Sequence, residues 1–114
     1  MLKGLGGLGD MAKMMKAAQD MQGKLAQMQE ELARMTVTGE SGAGLVRVTA
    51  TAKGEVKALD IDPGILVASE KEVVEDLIVA AIRDAQSRAT DLAQRETQRL
   101  AESLGLPPGM NLPI

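Results

Sequence analysis

A heptad seam is the feature that most constrains what this chain can fold into. Met11, Met14, Ala18, Met21, Leu25, Met28, Leu32 and Met35 follow one another at spacings of 3, 4, 3, 4, 3, 4 and 3. These are a and d positions repeated without a break, the pattern of a helix that buries one stripe against another helix. The spacing predicts a helix over residues 10–35, with Asp10 as its N-cap. At about 1.5 Å per residue it would be roughly 39 Å long. A small sheet cannot cover that length, so part of the seam must meet another helix. Met dominates the seam and also occurs on adaptable binding surfaces, but so regular a stripe reads first as a helix–helix core.

Residues 36–62 read as a three-stranded antiparallel meander. Thr36-Val37-Thr38-Gly39 opens it, and Glu40-Ser41-Gly42-Ala43-Gly44 is a turn. Residues 45–52 make the best strand, with Val46, Val48, Ala50 and Ala52 on one face. Lys53-Gly54 turns the chain into a third strand from Glu55 to Asp62. There Val56 and Ala58 oppose Leu59 and Ile61, so both faces are expected to be partly buried. Asp62-Pro63 suits a cap followed by the first residue of a short helical turn. Ser69-Glu70-Lys71-Glu72 matches a capping box, which predicts a second long helix from there to Leu104. Gly105 fits the C′ position, with Pro107 and Pro108 beyond. The first part of this helix is broadly apolar and should lie on the sheet. After Arg83 only a thin Ala/Leu stripe remains, as in an arm projecting into water.

The predicted class is therefore α+β, in one domain over residues 10–104. Residues 1–9 read as a flexible Gly-rich arm and 105–114 as a Pro-rich extended tail. Gly4 to Gly9 formally match G-x-G-x-x-G, but no strand precedes them, so no dinucleotide site is expected. The 114 residues include no Phe, Tyr or Trp. A core of Leu, Ile, Val, Met and Ala in so short a chain buries little area alone, which points to a homodimer.

The chain also has no Cys and no His. That removes thiolate nucleophiles, imidazole bases and the usual zinc ligands together. Asp60 and Asp62 share one side of a strand, but a surface Asp and a capping Asp explain them. No enzyme, cofactor, metal or small-molecule substrate is expected. No apolar stretch is long enough to span a membrane, and a cytoplasmic protein is expected. Net charge is −3, but the charge is segregated. Residues 1–24 carry a balance of +2, residues 55–76 one of −5, and residues 83–99 one of +1. One end of such a molecule can attract a polyanion that the other repels; ordinary solvated surfaces give the same pattern.

Specific residues then carry a resemblance. Val37-Thr38-Gly39-Glu40-Ser41-Gly42-Ala43-Gly44-Leu45-Val46, followed by Arg47-Val48, resembles the signature hairpin of the YbaB/EbfC family. So do Ile61-Asp62-Pro63, the Met/Gln-rich first helix around Met21-Gln22 and Met28-Gln29-Glu30-Glu31, and Leu106-Pro107-Pro108-Gly109. Aromatic residues that some members carry in the tail are replaced here by Met110 and Ile114. The resemblance implies a homodimer joined through its central sheets, with long helices projecting as a pair of tweezers. It implies binding of double-stranded DNA with limited sequence selectivity, and a role in nucleoid organisation or gene regulation.

Six cations are the candidate phosphate contacts: Lys13, Lys16, Lys24, Arg88, Arg95 and Arg99. Lys13 and Lys16 lie opposite the seam and Lys24 on its flank, where they can reach phosphates as point charges. Arg88, Arg95 and Arg99 share one helical stripe. Asp84 and Asp91 precede Arg88 and Arg95 by four residues, a good orientation for ion pairs, and Asp20 is a candidate partner for Lys16. Exposed pairs contribute only about 0–1 kcal/mol, so DNA can compete for the Arg. Ser87, Thr90, Gln94, Thr97 and Gln98 are neutral donors nearby. Base readout is not visible. Two other readings stand beside this one: a docking module for a recombination or replication protein, and a prefoldin-like holdase.

Overall fold

A computed structural model describes residues 2–105, with side chains described from Gly9 onward. The long helix α1 spans Leu2–Arg34. Strands β1 (Thr36–Ser41), β2 (Val46–Thr51) and β3 (Val56–Ile61) follow. Two short 3₁₀ turns, Pro63–Ile65 and Ala68–Glu70, lead to the second long helix, α2, at Lys71–Ser103. The sheet is an antiparallel meander in the order β1-β2-β3. The α+β class and the order of elements agree with the sequence reading.

The sheet holds the tightest part of the core. Val46, Val48 and Ala50 point from β2 toward α2 and are fully buried with Ala81 and Ala85. Burying each Val stabilises the fold by about 1.5–3 kcal/mol. α2 approaches unusually closely because Gly39 of β1 has no side chain. A Cβ there would lie 2.6 Å from the Ala81 carbonyl oxygen and closer still to the Ala85 backbone nitrogen. Ala81 and Ala85 are one helical turn apart and small, so strand and helix backbones meet directly. Two polar contacts secure the same seat. The Glu40 N–H donates to Asp84 Oδ2 at 2.9 Å, and Ser41 Oγ donates to the Leu77 carbonyl.

A second cluster forms where the helices leave the sheet. Met28, Leu32 and Ala52 are buried, with Leu25, Met35, Leu92, Ala93 and Leu100 against them. The Ala52 N–H donates to the Met35 carbonyl at 2.9 Å and ties the end of α1 to the end of β2. α1 therefore runs toward the sheet, while α2 crosses it and continues antiparallel along α1. The molecule measures 83 × 22 × 17 Å with a radius of gyration of 21.9 Å, against about 13 Å for a compact chain of this length.

Local signals were mostly obeyed. The Asp62 side chain accepts from the Gly64 N–H at 2.7 Å with Pro63 at the first helical position. Gly105 takes φ +73° at C′, and its N–H donates to the Glu102 carbonyl. In the β1–β2 turn, Gly42, Ala43 and Gly44 all have positive φ, at 59°, 55° and 90°. The two glycines adopt this freely. The N–H groups of Gly44 and Leu45 donate to the Ser41 and Gly42 carbonyls and close the turn.

Several expectations need correction. The Gly-rich segment 1–9 is not set off as an arm: α1 runs from Leu2 through Asp10, which is therefore inside the helix and caps nothing. Adding residues to an existing helix is far cheaper than nucleating one, so the seam can carry the glycines with it. The capping box at Ser69 does not form. Ser69 lies in a 3₁₀ turn, α2 starts at Lys71, and Glu70 precedes it without a side-chain cap. Backbone carbonyls of Val67 and Ala68 already take the N–H groups of Glu70 and Lys71. In β3 only Ile61 is half-buried, because α2 covers β1 and β2 and stops short of β3. Val56 and Leu59 are left 45% and 46% exposed. Val73 and Val79 on the apolar part of α2 are also exposed. The tail reading of residues 106–114 lies outside the described residues.

Candidate nucleic-acid interface

The six candidate cations all lie on the two helices, and all six are exposed. They do not form one cluster. Lys13 and Lys16 stand on the part of α1 that runs beyond α2, and Lys24 lies about 16 Å along the axis from Lys13. Because the helices are antiparallel and share the Leu25–Leu100 cluster, Lys24, Arg95 and Arg99 fall at similar heights on the paired segment. Arg88 sits lower, against the sheet. The arrangement is a basic trail along the arm.

Their freedom differs. Among the described residues Lys13, Lys16, Lys24 and Arg95 take part in no ion pair: the anticipated Lys16–Asp20 and Asp91–Arg95 pairs are not made. Arg95 instead lines a shallow open hollow with Asp91, Gln94 and Gln98. Arg99 pairs with Glu96 at 3.2 Å, and its side chain remains 76% exposed. Arg88 pairs with Asp84 at 3.1 Å as anticipated, but that carboxylate is not a simple surface acid. It accepts the Glu40 N–H, and this bond first, then Arg88, holds its pKa below the usual Asp value. Arg88 thus belongs to the seat of α2 on the sheet as much as to the arm. Two of the neutral donors are also spent, since the Thr90 and Thr97 hydroxyls donate to the Gln86 and Ala93 carbonyls.

The arm carries exposed acids of its own, Asp10, Asp20, Glu30, Asp91 and Glu102, but the densest acidic group lies elsewhere. Asp62, Glu70, Glu72, Glu75 and Asp76 are exposed around the β3–α2 connection, at the end of the sheet away from α1. The acidic segment read along the sequence thus lies at one end of the long axis. A cation on the open sheet face, Arg47, is not equivalent to those on the arm. Glu40 holds it at 3.6 Å from one neighbouring strand, and Asp60 stands opposite it on the other. Nothing in the sequence marks Asp84 as a partner of β1, because the contact joins residues 44 positions apart. Among the described residues no three acidic side chains are grouped to hold a metal ion. No described helix is long and apolar enough to cross a membrane.

Comparison with known proteins places this geometry in a family. The chain is 48% identical over 105 residues to a nucleoid-associated protein of Methylocella silvestris, covering 92% of this chain and 98% of the relative. Its fold resembles the crystal structure of the uncharacterized protein HP0035 from Helicobacter pylori, with a TM-score of 0.59 and 24% identity. That likeness covers 76% of this chain and 87% of the other. The sequence profile of the YbaB/EbfC DNA-binding family matches residues 7–104, and the chain belongs to that family.

Proposed function

We propose that this protein is a nucleoid-associated protein that grips duplex DNA as a homodimer, through phosphate contacts made by its helical arms. The observation that carries the reading is the basic trail: Lys13, Lys16, Lys24 and Arg95 are exposed and unpaired among the described residues, while the densest group of acids lies at the far end. Phosphates recruit such side chains without displacing a partner carboxylate. Arg99 joins them after giving up one exposed ion pair, and Arg88 is the most committed of the six. Lys is a mobile point charge and Arg a planar fork, and both serve backbone binding. The family to which the chain belongs and the name of its Methylocella relative support DNA as the ligand.

The second copy is argued from the sheet. At Glu40 the outer edge of β1 is closed by Asp84. Among the described residues the edge of β3 has no neighbouring strand, and Val56 and Leu59 lie exposed beside it. An open edge with apolar side chains next to it favours strand addition. A second copy meeting it there would double the number of arms and bring two basic trails to one duplex, with a role in nucleoid organisation or gene regulation.

The test is fluorescence anisotropy of a labelled random duplex at about 50 and about 200 mM salt. With about four to six phosphates neutralised, affinity falls roughly 10²–10³-fold between the two. Replacing all six cations by Gln should abolish binding and flatten that dependence. Unchanged binding by the sixfold variant refutes the arm contacts. Light scattering on the same sample should read twice the chain mass.

A further inference from the structure

Among the described residues, the upper half of the heptad seam is without a partner. Met11, Met14 and Met15 are 60%, 71% and 63% exposed. With Ala17, Ala18, Met21 and Gln22 they make a strip without a charge between Asp10 and Lys24. Below it, the same stripe is buried on Leu92, Ala93 and Leu100 of α2. The strip is open because α2 stops: after Leu100 it continues only to Ser103, and Gly105 turns the chain. That turn brings the chain out level with about Met21, the foot of the open strip.

We propose that the segment following that turn, residues 106–114, docks along this strip and continues the cover that α2 provides below. Its sequence is Leu106-Pro107-Pro108-Gly109-Met110-Asn111-Leu112-Pro113-Ile114. It carries no charged side chain, like the strip, and it offers Leu106, Met110, Leu112 and Ile114 as apolar anchors. Three prolines bar it from extending α2 and favour an extended course. Nine residues in that course reach about 28 Å, while Met21 to Met11 spans about 15 Å. The reach is ample. Met side chains adapt to an irregular ligand better than branched ones do. The tether matters as well. A segment joined to α2 meets the strip at an effective concentration in the millimolar range, ahead of a second copy at micromolar concentration. The cations stay clear of this contact, since Lys13 and Lys16 occupy heptad positions c and f on the opposite face. The proposal is independent of the DNA reading.

The chain has no cysteine, so introduced pairs report without background. In the full-length protein, Met14→Cys with Leu112→Cys is compared with Gln19→Cys with Leu112→Cys, which moves the helix partner off the seam. Both α1 positions are exposed, so neither change threatens the fold. Under mild oxidation by diamide, without DNA, the Met14 pair should form an intramolecular disulfide several-fold faster than the Gln19 pair. A disulfide demands Cα atoms within about 7 Å. Equal rates would overturn the proposal, because an undocked segment samples both faces alike. Predominance of disulfide-linked dimers in the Met14 pair would overturn it too, by showing a second copy on the strip.

Discussion

The lower and upper halves of α1 obey the same heptad rule and meet different surroundings. From Leu25 to Met35 the seam is closed by α2 and Ala52, with Met28 and Leu32 at 5% and 3% exposure. From Met11 to Met15 the same pattern stands more than half in water. Side-chain chemistry does not explain the difference, since Met occupies both halves. The length and position of α2 explain it. A heptad states which face wants cover, and only the partner's extent decides how much receives it. The extent of α2 along α1 is in turn set at the sheet, where Gly39 lets Ala81 and Ala85 sit on the backbone of β1.

The largest effect should come from that seat. Gly39→Ala drives a methyl into the Ala81 carbonyl and Ala85 backbone, neither of which can swing aside as a side chain could. Overpacking of this kind costs about 3 kcal/mol, read as a lower urea midpoint. The whole lower seam should loosen with it, because α2 carries Leu92 and Leu100 to α1. A loss below about 1 kcal/mol would mean that α2 is not seated on β1 as described.

The comparison itself is tested by truncating one seam residue in each half. Leu32→Ala removes a buried side chain and should cost about 2–3 kcal/mol. Met14→Ala should cost at most about 1 kcal/mol, because even partial cover by a tethered segment returns only a fraction of a core contact. Equal losses in thermal or urea melts would show that both halves are buried equally in solution, and the contrast between them would disappear.

Much of this was legible in the sequence because it is local. The seam, the meander, the Val46-Val48-Ala50 face, the Asp62 cap and the Gly105 turn each follow from residues within a few positions. Two local signals were overridden by their surroundings. Asp10 was absorbed into a helix that continues past it, and Ser69 lost its role to backbone turn bonds. What could not be read is what joins distant segments. The exposure of β3 depends on which strands α2 covers. The commitment of Asp84 depends on a strand 44 residues away. For the candidate interface, the sequence supplied the residue types and their helical faces. It could not say that Arg95 is unpaired while Arg88 is tied to the sheet.

That last distinction yields the smallest and most specific effect. Asp84 has its pKa lowered in the folded chain, first by the Glu40 N–H and then by Arg88. A carboxylate with a depressed folded pKa adds stability that is complete above its unfolded value and is lost as pH falls through the folded one. The loss therefore belongs below about pH 4, under the ordinary Asp range. Asp84→Asn removes this titration but keeps an oxygen that can accept the Glu40 N–H. The variant should be less stable than the parent near neutral pH, and the gap should close as pH falls below that range. Asp91→Asn provides the contrast on the arm, since Asp91 makes no ion pair among the described residues; it should leave stability near neutral pH unchanged. If the two variants behaved alike, Asp84 would be one more solvated acid, and Arg88 would be as free to meet a phosphate as Arg95.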